Sequence, residues 1–394
     1  MRAPISRSEL WSPPPFPRDE LDRRRGAVTA GLDAAGLDGL VVSLPENIYY
    51  LTGLDHWGYF ACHLLIVPRD GEMILVARAM ERITVENQVS NARFLGHADH
   101  EDVAEHAARA LGEAGLADGH VGLEMRSLFL TPRVADALRA GTPGVRWSDG
   151  SGLIDKLRLV KSPLEMDYTR RAAVAADAGT LAAIDAIRDG ASDYEISAAC
   201  HDAMIRAGSE YPGFGPFIRP TSRLGEEHTT WCGDRFSTGD AVFLEIAGAC
   251  RKYQAPMGRL VYVGEAPEGT EAMAGVAIEG MAAIVGALRP GALAGDVYQA
   301  WHEVAAAAGL QDYHRHHCGY LVSIGFPPSW TGGSMVTGLA PHAELELQTG
   351  MTFHAHSWFT GTGRPDYFIS NTVLLGEDGA EVLTAATPES LIVK

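Results

Sequence analysis

The chain has 394 residues, too long for one ordinary core, since single domains run to roughly 100–200 residues; two domains are expected. Apolar residues make up 46% and charged residues 21%, an average globular composition that excludes a disordered, collagen-like or disulfide-scaffold chain. With 50 acidic against 32 basic residues the formal charge is −18, a poor match for nucleic acid or an anionic membrane.

The N-terminus, MRAPISRSELWSPPPFPRDE, lacks the apolar core of a secretory signal, and no run reaches the roughly 20 apolar residues of a spanning helix. Cys62, Cys200, Cys232, Cys250 and Cys318 are widely spaced, with no C-x-x-C pair. That argues against a disulfide framework or a four-cysteine zinc site, and a reducing cytoplasm is the expected setting. The Pro-rich stretch Trp11–Pro17 reads as an extended arm that could lie across a partner subunit.

In chain order, the spacing predicts a helix over Arg23–Ala35, ending near Gly36. An apolar run follows, then a Pro-Glu-Asn turn and an aromatic stretch closed by Gly53. HLLIVPRDGEMILVAR reads as a hairpin about Pro68–Gly71. Helices are expected near Asp102–Ala117 and Thr131–Ala140. Together these make an α/β domain over residues 1–158. Ser162-Pro163 is a helix start, and a long helix should run from Leu164 to Arg188, with others over Asp193–Ala207, Glu271–Leu288 and Ala294–Gly309. Strands are expected at DAVFLEIAG, GRLVYVG, MTFHAHSW and YFISNTVLLGEDG. Helices and strands fall in blocks, so residues 159–394 should be α+β, with helices on one face of an antiparallel sheet.

Glu245 leads the candidates for chemistry. Strand alternation in VFLEIAG puts it between Phe243 and Ala247 on one face. A carboxylate among apolar neighbours is costly unless functional or paired, and Arg251 or Arg259 could pair with it. The alternation of MTFHAHSW puts His354, His356 and Trp358 together. Two histidines two apart could hold a metal, although lone histidines are more often core or surface groups. HRHHC, at 314–318, has no regular zinc spacing. His228 falls on a loop, either as a general base or as a surface histidine. GYLVSIGFPPSW, 319–330, reads as a binding loop with an aromatic wall, or as a structural turn.

Taken together, LRLVKSPLEMDYTRRAAVAADAG, PENIYYLTG, TVLLGEDGAEVLT, GLDHWGYFACH, HTTWCGDRF, LEIAGACRKY and GYLVSIGFPPSW resemble the pita-bread family of methionine aminopeptidase, prolidase and creatinase. The resemblance lies nearest the creatinase and ectoine hydrolase branch and covers essentially the whole chain. It implies an α+β pita-bread C-terminal domain, a smaller creatinase-type α/β N-terminal domain and a homodimer. The peptidases of this family bind two metal ions through two Asp, one His and two Glu. The resemblance puts those ligands at Glu245, Pro256, Tyr320, His356 and Ser370, of which Pro, Tyr and Ser are poor ones.

No metal and no other cofactor is therefore expected. The expected activity is metal-independent hydrolysis of a non-peptide C–N bond in a small, nitrogen-rich cyclic amidine resembling ectoine. The alternatives are a guanidino substrate, a metal-dependent Xaa-Pro peptidase, or a non-catalytic binding protein. Glu245, His228 and His356 are the expected catalytic residues, with Glu245 either the attacking nucleophile or the partner of the amidinium. Tyr320, Arg259, Trp330, Trp358, Trp57, Tyr59, Ser370 and His354 are expected around the substrate. The resemblance also marks two departures in the pocket: Tyr253-Gln254-Ala255-Pro256 in place of Tyr-His-Cys-Pro, and Ser329 in place of an acidic residue.

Overall fold

The computed structural model describes residues 14–333 and 336–394. The chain divides into two compact units, Met1–Arg158 and Leu159–Lys394. Trp11 to Pro13 of the expected arm lie outside the described residues. Phe16 is 2% exposed and lies edge-on to Tyr49, and the Arg24 guanidinium stacks on it. This part of the arm packs into its own unit.

The N-terminal unit runs α1 (Arg18–Ala35), β1 (Gly39–Val42), α2 (Pro45–Thr52), β2 (Leu64–Pro68), β3 (Met73–Arg78), α3 (Arg82–Gln88), β4 (Ala92–His97), α4 (Val103–Glu113), β5 (His120–Leu123), α5 (Pro132–Gly141), β6 (Arg146–Asp149) and α6 (Leu153–Leu159). Its mixed sheet has the order β4-β3-β2-β1-β5-β6. Gly36, in the left-handed region at φ 62°, ends α1. The expected hairpin is present as β2 and β3. The Pro-Glu-Asn stretch, expected as a turn, is instead the first turn of α2. Pro45 occupies the first helical position, where no N–H is needed. The buried Glu124 carboxylate accepts hydrogen bonds from the amides of Ser43 and Leu44 and from Asn47 Nδ2. A long-range carboxylate thus takes up the two amides just before the helix, which local sequence could not reveal. Burial lifts the pKa of Glu124 to about 7.

The C-terminal unit continues with α7 (Pro163–Ala186), α8 (Asp193–Arg206), β7 (Phe217–Pro220), β8 (Ala241–Cys250), β9 (Tyr253–Tyr262), α9 (Thr270–Ala287), α10 (Ala294–Ala307), β10 (Gly319–Leu321), β11 (Thr352–Phe359), β12 (Tyr367–Gly376), β13 (Gly379–Val382) and β14 (Ile392–Val393). Capping boxes at Ser162/Glu165 and Ser192/Glu195 start α7 and α8. The sheet has the order β10-β11-β12-β9-β8-β7, with β13 on β12 and β14 on β9. Every pair along this path is antiparallel.

Helices α7 and α9 cover one face of the sheet. A Cβ on Gly248 would meet Ala172 O of α7 at 2.1 Å, and one on Gly280 of α9 would meet Ser357 Oγ at 2.6 Å. Glycine at both positions lets helix and strand approach this closely. Helix α9 is, among the described residues, long and apolar enough to cross a membrane. It buries Met273, Ala274, Ala277, Met281 and Ile284 within this unit, so it is a core helix.

Candidate active site

The face of the sheet turned away from α7 and α9 carries the chemistry. A two-residue turn sets its register. Arg251 and Lys252 both have positive φ, 48° and 63°, and join β8 to β9 with Cys250 opposite Tyr253. Such tight turns suit the twist of a hairpin. Lys252 is held by Glu210 at 3.1 Å and by the Tyr211 ring. Pairing from that turn puts Glu245 opposite Gly258 and Ala247 opposite Pro256.

One row of facing residues then runs Phe217, Glu245, Gly258, Ser370, His356. The row on one side holds Arg219, Phe243 and Leu260, with Phe368 opposite Trp358. The row on the other holds Ala247 and Pro256, with Thr372, His354 and Tyr320 in register. Phe368 lies over Gly258, where a Cβ would meet its ring at 2.4 Å. Pro256 is tolerated within the sheet because the β9–β12 pairing covers only Gly258 and Arg259.

A buried polar chain crosses these rows. Trp330 Nε1 donates to the Tyr320 hydroxyl at 2.8 Å. That hydroxyl lies 3.0 Å from His354 Nδ1, and His354 Nε2 lies 2.8 Å from Ser370 Oγ. His356 Nε2 is 2.9 Å from His354 Nδ1. Glu245 Oε1 is 3.9 Å from the same nitrogen, with 12% of its side chain exposed. Phe214 and Phe217 pack on Trp330, and Phe243 and Phe368 on Trp358.

Burial pushes the Glu245 carboxyl up to about 7; Arg219 and Arg315 pull against this and Glu227 adds to it. Burial also holds His354 and His356 well below the usual imidazole range, helped by neighbouring histidines. His317, beside them, is pushed down to about 3 by burial and by the charges of His316 and Arg315. Tyr320 is raised, by burial first and then by Glu245. The site thus holds neutral imidazoles beside a carboxyl that titrates near neutrality.

Of the residues named from sequence, Glu245, His354, His356, Tyr320, Trp330, Trp358 and Ser370 come together. His228 is exposed, at φ 58°, with its ring on Phe214 and Phe217. It joins the cluster through aromatic neighbours. Arg259 does not reach this face. Its guanidinium donates to the carbonyls of Pro388, Gly258, Ser370 and Thr387 and to Asn371 Oδ1. It is therefore a structural cation behind the sheet and neither pairs with Glu245 nor lines the pocket. Trp57 and Tyr59 belong to the N-terminal unit. There Trp57 is 64% exposed, while Tyr59 is buried and donates to Leu54 O. Gln254, one of the departures, ties Gly213 N to the carbonyls of Lys252 and Gly325.

Sequence reasoning missed Arg219, Phe214, Phe217 and Phe368, and it weighed HRHHC, 314–318, only for zinc spacing, without giving Arg315 or His317 a place beside Glu245. Only the pairing of β7 with β8 puts Phe217 and Arg219 on the face of Glu245. A short FIRP segment carries little strand signal of its own.

The α/β unit and the antiparallel sheet with its helices on one face each match a known family. Residues 167–377 match metallopeptidase family M24, and residues 24–160 match the creatinase/prolidase N-terminal domain. The chain belongs to the M24 family of hydrolases, with the pita-bread fold. It is similar to the ectoine hydrolase of Halomonas elongata, at 28% identity over 96% of this chain and 98% of that one. It is also similar to a probable dipeptidase of Mycobacterium tuberculosis, at 26% identity over 95% and 97% of the two chains. Among solved structures, the Xaa-Pro dipeptidase of Bacillus anthracis has a TM-score of 0.82, covering 95% of this chain and 100% of that one at 20% identity. That likeness shows the fold alone.

The family name raises the question of metal. Of the five positions that the resemblance marks as ligands, Pro256 offers no donor. Tyr320 accepts from Trp330, and Ser370 lies against His354. These residues do not fit a dinuclear centre, which needs several anionic or imidazole donors for each ion. What this face does offer is Glu245, His354 and His356, with one ligand atom each, all within 4.8 Å of one another.

Proposed function

We propose that the chain is a metal-independent hydrolase of a non-peptide C–N bond in a small cyclic amidine, which it opens to an amide and an amine. The observation that carries this reading is Glu245: a carboxyl raised to about 7 by burial, walled by aromatic rings, on a face whose described residues do not supply the ligands of a dinuclear centre. A planar amidinium supplies the positive charge that such a carboxylate lacks, and Trp330 and Trp358 add cation–π attraction while excluding water.

In this reading His356 is the general base. It is neutral, in the same row as Glu245, and its Nε2 is held by His354. It takes a proton from the attacking water as the new C–O bond forms at the amidinium carbon. The C–N bond then breaks, and the leaving nitrogen receives that proton. The identity with an ectoine hydrolase supports a ring-opening reaction but does not fix the substrate. The test is a thermal-shift and turnover screen of small cyclic amidines, guanidines, betaines and Xaa-Pro dipeptides. The reading expects stabilisation and ring opening with an amidine, undiminished by chelator. Turnover of the dipeptides alone would refute it.

A second reading follows from the convergence of Glu245, His354 and His356, which could hold a single ion. Against it, both ring nitrogens of His354 already have partners at 2.8–3.0 Å. A metal-dependent hydrolase would lose its activity to chelator.

A further inference from the structure

One buried polar side chain on the face of Glu245 takes no part in the polar chain described above. The pairs Glu245–Gly258, Ala247–Pro256 and Ala249–Gln254 follow one another in register, so Gln254 lies on that face near the β8–β9 turn. It is 1% exposed. Its oxygen and both amide hydrogens go to backbone groups: Oε1 accepts from Gly213 N at 3.1 Å, and Nε2 donates to Lys252 O at 3.0 Å and to Gly325 O at 3.2 Å. These partners belong to three segments: the β8–β9 turn, the loop before β7 and the loop after β10. The two loops touch where no side chain would fit. A Cβ on Gly213 would meet Ser329 O at 2.0 Å, and one on Gly325 would meet the same oxygen at 2.7 Å. Each loop carries an aromatic ring of the site right after this contact, since Phe214 follows Gly213 and Trp330 follows Ser329. The two rings meet edge to face, with 4.7 Å between centroids.

We propose that Gln254 is the positioning residue that sets the Phe214–Trp330 wall, and through it the size of the molecule the site admits. The placing of the wall rests on the structure alone; the consequence for a substrate rests on the proposed function, in which Trp330 bounds the amidinium. The physical reason is the hydrogen-bond count. A glutamine amide offers two donors and an acceptor in one plane, which match the two carbonyls and one N–H that converge on it. A glutamate would turn oxygen toward both carbonyls. A methionine of similar length would leave the Gly213 N–H and the Gly325 carbonyl, both in buried residues, without this partner. The loops then relieve the loss by drawing apart, and the rings they carry move with them. The hydrogen bonds of Gln254 reach neither Glu245 nor the histidines, so it acts on the site through the wall.

The experiment uses the full chain labelled with fluorotryptophan, as wild type, Gln254→Met and Gln254→Glu, with fluorine spectra and turnover measured together. Trp330→Phe assigns the Trp330 signal. Both Gln254 variants should shift or broaden that signal. The signals of Trp301, buried in α10, and Trp147, packed on the N-terminal core, should stay in place and report an intact fold. Turnover is compared for two cyclic amidines that differ in one ring substituent, methyl or phenyl. The ratio of their kcat/KM values should move by about tenfold toward the larger in the variants, through KM, because a wall acts on ground and transition state alike. An unmoved Trp330 signal, or a moved signal with an unchanged ratio, overturns the proposal, while turnover of the amidines keeps the proposed function in place. A fall in kcat by orders of magnitude at constant KM also overturns it, since Gln254 would then act on the chemistry. If the Trp301 signal is lost in both variants, Gln254 holds the whole unit together and the proposal falls. If Trp330 moves but wild type turns over neither amidine, Gln254 still places the wall, and the size consequence falls together with the proposed function.

Discussion

Replacing Glu245 by Gln keeps the side-chain volume and removes a charge that the fold disfavours. The carboxyl titrates at about 7 in the folded protein against a reference of 4.5. A group raised in this way contributes its stability below pH 4.5 and loses it as pH rises through 7. At about 1.36 kcal/mol per unit, the ionised Glu245 costs on the order of 3 kcal/mol at pH 8, and about 1 kcal/mol or less at pH 5. Glu245→Gln should therefore be more stable than wild type at pH 8, by roughly 6–10 °C in melting temperature for a unit of this size. The gain should shrink toward zero at pH 5. Glu124 has the same sign and is present in both proteins, so it cancels in the difference. Turnover should fall by orders of magnitude, because a charge-assisted contact made in the transition state is lost. The assay is calorimetry of both proteins between pH 5 and 8.5, with rates measured alongside. A variant that melts lower at pH 8, by the roughly 3–5 kcal/mol of a broken buried ion pair, and that still turns over would refute the reasoning. Glu245 would then be architecture.

Of the remaining predictions, the pH dependence of cation binding shares the Glu245 carboxyl with that one, and the others do not depend on it. Purified protein from metal-supplemented medium should hold well under one equivalent of zinc, manganese or iron per chain by elemental analysis; two equivalents, lost together with activity, would restore the peptidase chemistry of the family. His356→Gln should lower turnover by about 10²–10⁴-fold, the usual range for a general base, whereas His228→Ala should change the rate by less than tenfold and leave its pH profile in place. Cation binding should tighten about tenfold from pH 6 to pH 8 with release of a proton, read by titration in buffers of different ionisation enthalpy, because Glu245 ionises as the cation arrives. The protein should be a homodimer by light scattering at micromolar concentration, since Trp57 and Phe60 leave 64% and 81% of their surfaces exposed; a monomer would remove the reason for expecting Trp57 at a substrate.

The sequence by itself determined the class of the fold. Blocks of helical and alternating apolar period, the Ser162-Pro163 start and the order of the motifs led to two units and an α+β C-terminal domain. Alternation alone put Glu245, His354, His356 and Trp358 on single faces, because side chains in a strand alternate regardless of what the strand packs against. Which faces meet is a matter of register, and register is set by contacts between residues distant in sequence. Only the tertiary structure brought Phe217 and Arg219 beside Glu245, and only it turned Arg259 to the back of the sheet among carbonyls that the chain supplies more than a hundred residues away. The same holds for Pro45–Thr52. Its local turn signals gave way to a helix, and the amides of Ser43 and Leu44 just before it are held by Glu124, which follows the remote strand β5. The charge state of the site is also a tertiary property. A carboxylate one residue from an apolar neighbour in sequence titrates normally in water, and becomes a group poised near neutral pH only when sheet, loops and aromatic rings close around it.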